Sequence, residues 1–228
     1  FDANFRTLSA VALSPPFCNF WSLEKFKTHK QRTCRKNPRD FWIGHIGKAL
    51  AQRAVSLGVK VQYFDVVRQS EAEKEWGLKY LFPEELLSSS DIISYHLPKT
   101  SFTHHLINRN SLRKMRPDAL LINSSRGYIQ DENAIYEALT SGQISAAGLD
   151  VFEVEPLPEN SPLRKLENVV LTPHSAPDNE SLILAVRNAL DNLLRVSSGN
   201  EPQSIAVDHE EVTRQFLERF PEVKLTAS

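Results

Sequence analysis

From residue 43 onward, the chain alternates between short β-rich runs and stretches with helical spacing of apolar residues. Ile46, Leu50, Ala54 and Leu57 mark one helical face that Gly58 ends, and the run VKVQYF follows. Further runs, nearly continuous in apolar residues, lie at 91–95, 119–123, 146–151 and 168–171. Helical stretches are predicted between them at 83–87, 111–115 and 132–141. Apolar runs of this kind are typical of strands buried on both faces, so the order predicts an α/β fold with a doubly wound parallel sheet.

The helical stretches carry their own boundary signals. Asp131 is placed to cap the helix at 132–141, and Gly142 to end it. A last amphipathic helix is predicted at 180–196, with an apolar stripe that needs a surface to cover. The charged tail that begins at residue 201 is expected to be peripheral.

Composition and charge narrow the class of protein. The chain has 228 residues, 41% of them apolar and 24% charged, which fits a globular protein with ample core-forming material. The formal charge of -1 gives no global field that favours nucleic acid or an anionic membrane, so small molecules or proteins are the expected partners. No apolar run approaches the ~20 residues of a membrane span. Cys18 and Cys34 cannot form a disulfide framework or a four-ligand zinc site, so a cytoplasmic location is expected, with an organelle as the alternative.

The first forty residues differ from the rest. They hold eight Lys/Arg and three Asp/Glu, a balance of +5, which leaves 19 basic and 25 acidic residues, or -6, for the remainder. Pro15, Pro16 and Pro38 interrupt any regular pattern. Residues 1–42 are therefore predicted to be a poorly ordered extension, either part of an organellar transit peptide or a basic tail.

A phosphate-binding turn is indicated at the start of the first helix. Gly44 and Gly47 enclose His45 and Ile46, which gives the second half of a G-x-G-x-x-G fingerprint, and Asp65 follows 21 residues after Gly44. A glycine backbone at such a turn lets a pyrophosphate approach the N-H groups of the helix N-terminus. The alternative for an isolated Gly-x-x-Gly is a helix packed closely on a strand.

Two features upstream of this turn depart from the fingerprint. Trp42 stands where the first glycine belongs. The preceding residues 38–41 are a poor candidate for a central strand, because Pro38 cannot donate a ladder hydrogen bond.

Five motifs follow one another along the chain and together carry a family resemblance. They are GHIG at 44–47, SDIISYHLP at 90–98 with Thr103, LINSSRG at 121–127, GLDVFEVEP at 148–156 and LTPHSA at 171–176. In this order, the sequence from 43 to about 200 resembles the D-isomer-specific 2-hydroxyacid dehydrogenases. The resemblance implies a Rossmann-like NAD-binding domain at 43–178, a helix at 179–200 that returns to a substrate-binding lobe, and a peripheral tail at 201–228. That lobe is largely missing from the sequence, so a truncated or misassembled chain is expected.

The resemblance also implies the catalytic residues. His174 matches the base that removes the hydroxyl proton as hydride leaves the substrate for the nicotinamide, and histidine is the residue type used most often for such proton transfers. Glu155 matches its partner, which fixes the imidazole tautomer. Arg126 matches the planar donor that binds the substrate carboxylate or carbonyl oxygen. Taken singly, each has a plain alternative as a loop or surface residue.

Further positions resemble the family's cofactor-binding residues. Asp150 matches the residue that meets the nicotinamide carboxamide, and Asp65 the residue that binds the adenosine ribose and favours NAD over NADP. Arg68 weakens this preference. Four residues match the lining of the cofactor groove, with turn formation as the alternative: Pro98, Thr103, Ser124 and Ser125.

The sequence thus predicts an oxidoreductase that transfers a hydride between NAD and a small 2-hydroxy or 2-keto acid. The alternative is a non-catalytic dinucleotide-binding or protein-interaction module of the corepressor type. A homodimer of the family's kind is possible. No metal is predicted, since His96, His104 and His105 have no acidic or cysteine partners at ligand spacing. Trp42 and the missing lobe predict weak NAD binding and negligible turnover.

Overall fold

The computed structural model describes residues 38–41, 45–175, 179–203 and 209–223. The strands are β1 (Pro38–Phe41), β2 (Gln62–Phe64), β3 (Lys79–Tyr80), β4 (Ile92–Tyr95), β5 (Leu120–Asn123), β6 (Ala146–Leu149) and β7 (Val169–Leu171). The α-helices are α1 (His45–Ser56), α2 (Ser70–Trp76), α3 (Pro83–Ser89), α4 (Arg109–Lys114), α5 (Glu132–Thr140), α6 (Asn179–Ser197) and α7 (His209–Arg219).

The strands form one parallel sheet in the order β3-β2-β1-β4-β5-β6-β7. This confirms the predicted α/β fold with a parallel sheet. From β1, the next strands of the chain, β2 and β3, add on one side of the sheet. From its neighbour β4, the strands β5, β6 and β7 add on the other side, so the direction of growth reverses between β1 and β4. In open parallel sheets, ligands bind outside the carboxyl ends of the strands at such a reversal. This rule predicts a ligand crevice at the edge of the sheet where β1 and β4 end.

The expectation that residues 38–41 make a poor central strand is wrong. Asp40 pairs with Tyr63 of β2 on one side and with Ser94 of β4 on the other, so β1 lies in the middle of the sheet. Pro38 is the first residue of the strand, a position where its missing N-H is tolerated. The predictions made for residues 1–37 and 42–44 lie outside the described residues.

The core follows from the apolar runs. Phe64, Tyr95, Leu121 and Ile135 are fully buried in the largest cluster, where strands and helices meet. A second cluster packs α1 against β2 and includes Ala51 and Tyr63. Phe64, Tyr95, Leu121 and Ile135 lie in segments that the apolar pattern predicted, because burial on one helical face or on both sheet faces leaves a regular pattern.

The predicted face of α1 is only partly right: Ala54 is buried, but Ile46 and Leu57 are exposed and Ala51 is buried instead.

The helix boundaries confirm the local signals. The Asp131 carboxylate accepts a hydrogen bond from the Ala134 N-H at 3.0 Å and so caps α5. After α5, Gly142 adopts a φ of 72°, which a residue with a side chain rarely adopts. Both signals could be read from the sequence because capping depends only on local residues.

The expectation that the tail is peripheral is wrong for residues 209–223. The Phe216 side chain of α7 is buried and packs edge-on against Phe64, with ring centroids 5.7 Å apart. Phe220 stacks near Phe216, and Val223 joins the main core cluster. Three apolar residues at near-helical spacing explain why this segment folds onto the domain despite its many charges.

The long helix α6 exposes apolar side chains on the stripe predicted for it. Its large apolar side chains from Ile183 to Val196 are each more than half exposed. Contiguous apolar surface of this kind marks a face that a partner or another part of a protein covers.

Among the described residues, no helix has the length and apolar content that crossing a bilayer requires.

Candidate functional site

The loops that follow β5, β6 and β7 bring the predicted catalytic residues to one edge of the sheet. Asn123, Leu149 and Leu171 end these strands in register. Arg126 lies three residues beyond the first strand end and His174 three residues beyond the last, and Glu155 follows β6. Because carboxyl ends of parallel strands share an edge, the three side chains converge from distant parts of the sequence.

His174 and Glu155 form a hydrogen-bonded pair. The distance from His174 Nδ1 to Glu155 Oε2 is 2.7 Å. The other oxygen of Glu155 accepts from the Phe152 N-H at 3.0 Å, which orients the carboxylate. An ionised carboxylate can only accept hydrogen bonds, so Nδ1 of His174 carries a hydrogen. Nε2 is then the ring nitrogen left to exchange a proton with a ligand.

The backbone also fixes the position of His174. Its N-H donates to the Asp150 carbonyl at 2.8 Å, and its φ is 51°, in the left-handed region. Non-glycine residues adopt such angles rarely, and they persist where surrounding contacts impose them. The His174 side chain is 41% exposed, so its imidazole is accessible from the crevice.

The pKa of Glu155 is lowered, first by the hydrogen bond from His174, then by the Phe152 N-H and by the charge of Arg126. A lowered carboxyl pKa stabilises the fold above the ordinary pKa of the group, and this contribution is lost as the pH falls through the lowered value. We expect the carboxyl carbon of Glu155 in NMR titrations to show a midpoint below 4.5, and His174→Ala to raise it. Arg116→Ala is the control, since its guanidinium pairs with Asp118, just before β5 begins. An unchanged midpoint in His174→Ala would contradict the pairing.

Arg126 lies close enough to Glu155 for its charge to act on that carboxylate. Its guanidinium donates to the Ser125 carbonyl at 2.6 Å, and its side chain is exposed to the crevice. Its own carbonyl accepts from the Asn123 amide at 3.2 Å. Among the residues that the structure describes, the fork therefore keeps donors without a protein partner beside the His174–Glu155 pair, as anchoring an anion requires.

A buried amide network, missed by the sequence reasoning, links the Arg126 loop to the Glu155 loop. Asn123 and Gln130 are fully buried, and the Asn123 amide donates to the Gln130 oxygen at 2.7 Å. Gln130 in turn donates to the Val151 carbonyl at 2.9 Å. A buried polar group needs partners, so these two side chains fix the spacing of the loops. The only sequence signal was a polar Asn at the end of an apolar run.

Gly127 permits the closest contact between these loops. A Cβ built on Gly127 would lie 1.8 Å from the Phe152 carbonyl oxygen, so only glycine fits. The sequence placed Gly127 in a motif as a turn residue and gave no sign of this contact, because it depends on which backbone crosses there.

Asp150 presents an unused acceptor. One carboxylate oxygen accepts from the Ser175 N-H at 3.1 Å and from the Thr172 hydroxyl. The other, Oδ2, is buried and has no hydrogen-bond partner among the described residues. An unsatisfied buried oxygen is costly, and the amide N-H₂ of a nicotinamide carboxamide would satisfy it. The residues present thus fit the nicotinamide end of NAD.

The positions expected to line the cofactor groove behave differently from one another. Thr103 is fully buried, donates to the Pro98 carbonyl at 2.9 Å and accepts from the Thr100 N-H at 2.9 Å. The Ser125 hydroxyl donates to Asn123 at 2.9 Å. These bonds favour the turn-forming alternative for both residues. Ser124 and Pro98 are half-buried, and a cofactor contact there stays a prediction.

The predicted phosphate turn is described only in part. His45 begins α1, Ile46 is 71% exposed and Gly47 is buried, whereas Gly44 lies outside the described residues. At the end of β2, one Asp65 oxygen accepts from the Val67 N-H at 3.0 Å.

His96, His104 and His105 contact neighbouring polar and aromatic side chains. His96 Nε2 lies 3.0 Å from the Ser94 hydroxyl, and burial lowers its pKa to about 4. The rings of His104 and His105 stack with centroids 4.0 Å apart. Among the residues that the structure describes, no group of three or more potential ligand side chains could hold a metal ion.

Comparisons with known proteins define the class. The profile described as D-isomer specific 2-hydroxyacid dehydrogenase, NAD binding domain, matches residues 42–176. The chain therefore belongs to the D-isomer-specific 2-hydroxyacid dehydrogenase family and carries its NAD-binding domain. Glyoxylate reductase of Korarchaeum cryptofilum is 43% identical over 164 residues, which cover 72% of this chain and 49% of that protein. The chain thus spans about half the length of this relative.

Solved structures agree with the fold. D-lactate dehydrogenase with NAD⁺ from Lactobacillus jensenii has a TM-score of 0.68 at 31% identity, covering 75% of this chain and 56% of that one. The NADPH-dependent glyoxylate/hydroxypyruvate reductase from Sinorhizobium meliloti, in complex with NADP and sulfate, has a TM-score of 0.68 at 27% identity, covering 75% and 55%. The family thus includes structures solved with either dinucleotide.

Proposed function

We propose that this chain forms the cofactor-binding and base-bearing half of an enzyme that interconverts a small 2-hydroxy acid and its 2-keto acid. When bound, NAD supplies the hydride acceptor or donor. The observation that carries the proposal is the His174–Glu155 pair at 2.7 Å, beside the exposed guanidinium of Arg126. The unused Oδ2 of Asp150 supports a nicotinamide carboxamide nearby.

His174 is the proposed acid and base. With Nδ1 held by Glu155, Nε2 takes the hydroxyl proton of a 2-hydroxy acid during oxidation and returns it to the carbonyl oxygen during reduction. Glu155 stabilises the imidazolium that forms when Nε2 is protonated, since an opposite charge favours that state.

Arg126 is the proposed anchor for the substrate. Its planar fork binds a carboxylate or a carbonyl oxygen in a fixed orientation, which a lysine ammonium could not do with two parallel bonds. The named activities of the relatives, glyoxylate and hydroxypyruvate reduction, concern small 2-keto acids. We extend this substrate class to the present chain.

An amide NMR titration with NAD at millimolar concentration tests the site without requiring turnover. We expect the largest shifts at Gly47, Asp65, Asp150 and His174, because these residues lie along the proposed groove. Asp150→Asn should weaken binding, since the NH2 group of the asparagine amide cannot accept a hydrogen bond from a carboxamide N-H. Asp118→Asn, on the far side of β5, is the control and should bind as the parent does. Saturation without shifts at these positions would contradict the proposal.

We also propose the assembly and location that go with this function. Two cysteines at 18 and 34, with no disulfide framework, support a reducing compartment such as the cytoplasm. A homodimer is what the family resemblance suggests. The net charge of -1 supports a small-molecule role over binding of nucleic acid or an anionic membrane.

A further inference from the structure

A charged cluster at the end of β2 lies beside the predicted ribose-binding carboxylate. Arg68 and Glu73 form a two-pronged ion pair, with Nε to Oε1 at 2.8 Å and Nη2 to Oε2 at 2.9 Å. Such parallel bonds between a guanidinium and a carboxylate fix both groups in one orientation. Arg68 was expected to weaken the preference for NAD, yet its donors are directed at Glu73.

The surrounding side chains hold Glu73 in place. The Tyr63 hydroxyl donates to Glu73 Oε1 at 2.7 Å and accepts from the Gln69 N-H at 2.7 Å. The body of Tyr63 is fully buried, so this hydroxyl is rigidly placed. The Arg68 guanidinium also lies 5.3 Å from the centre of the Tyr80 ring.

The charges of this cluster oppose a phosphate. Asp65 and Glu73 carry two negative charges and Arg68 one positive charge, so the three groups sum to -1. A 2'-phosphate would bring nearly two further negative charges to Asp65. The Nε–Nη2 edge of Arg68 could bind it only by leaving Glu73, whose side chain is only 18% exposed and would lose this two-pronged contact.

We propose that Glu73 is a specificity-determining residue that holds Arg68 away from the adenosine ribose, so that this chain selects NAD over NADP. The inference rests on the proposed function, because it assumes that the adenosine lies beside Asp65. Selection then depends on two residues: Asp65 repels the phosphate, and Glu73 withholds the cation that would neutralise it.

The test compares AMP with adenosine 2',5'-bisphosphate, which differ only by the 2'-phosphate and contain no nicotinamide half. Glu73→Gln removes the charge that holds Arg68 and should raise the affinity for the bisphosphate about tenfold relative to AMP. The matched control is Glu75→Gln, which removes the same charge from the exposed surface of the same helix and should leave the ratio unchanged. Adding Arg68→Ala to Glu73→Gln should abolish the gain.

The outcomes separate this inference from the function beneath it. If AMP binds to all variants and Glu73→Gln leaves the ratio unchanged, the role of Glu73 is wrong while dinucleotide binding stands. Equal gains in Glu73→Gln and Glu75→Gln would mean that only the overall charge matters, and would also overturn it. Where Glu73→Gln is poorly folded, Glu73→Ala gives the same comparison. If neither AMP nor NAD shifts any residue near Asp65, the proposed function fails and the inference with it.

Discussion

Replacing Gly127 with alanine should destabilise the fold by at least about 3 kcal/mol. The added methyl would lie 1.8 Å from the Phe152 oxygen and 2.0 Å from its carbonyl carbon. These are backbone atoms, so no side-chain rotation can relieve the overlap, and one of the two loops has to move. The same movement would separate Arg126 from the Glu155 loop. Urea denaturation gives the change in the free energy of unfolding.

Gly148→Ala is the matched control for Gly127→Ala. Gly148 lies in β6, two residues before Asp150, and a Cβ built there meets nothing within 4 Å. Replacing Gly148 with alanine should change the free energy of unfolding by less than about 1 kcal/mol. The change should be a gain, because alanine reduces the conformational entropy of the unfolded chain. Equal losses for the two variants would show that the contact with Phe152 is not what demands glycine.

The parent chain should bind NAD more weakly than micromolar, and Trp42→Gly should strengthen binding. Trp42 stands at the first glycine of the phosphate-binding fingerprint, and a side chain in such a turn costs about 1 to 3 kcal/mol. Relief of that cost corresponds to about fivefold to a hundredfold in affinity. Calorimetry with NAD measures it. Trp42→Ala removes the indole but keeps the Cβ, so it separates the bulk of the ring from the backbone requirement.

Turnover by the parent chain should be negligible, because the His174 side chain is 41% exposed to solvent. Proton and hydride transfer are faster in a closed site from which water is excluded. Micromolar NAD affinity in the parent, together with oxidation of glycerate or lactate that is lost in His174→Ala, would contradict this expectation.

Residues whose role is local could be predicted from the sequence. The strand at 120–123 and the helix capped by Asp131 follow from apolar spacing and from a side chain that bonds three residues away. The pairing of His174 with Glu155 was expected only through the family motifs, since 19 residues and a strand separate them. The Gln130 network and the demand for glycine at 127 depend on backbones that cross in space, which no local pattern records.

Two of the wrong expectations, those for the first strand and for the tail, have a common physical cause. Pro38 was judged by its missing N-H, but it is only the first residue of β1, and Asp40 and Phe41 pair with strands on both sides. The tail was judged by its charges, although Phe216 needs only one buried face to hold α7 on Phe64. In both cases tertiary contacts outweighed a composition that argued against order.

The central place of β1 has a consequence for how the chain acquires its fold. β1 is the first strand of the described chain, yet one of its partners, β4, ends at Tyr95. Loop closure between such distant partners makes parallel sheets slow to form. While the chain is being synthesised, β1 has two open edges until β2 and β4 have emerged from the ribosome. Overproduction of the protein should therefore benefit from slow synthesis at low temperature, which gives the outer strands time to add to a completed centre.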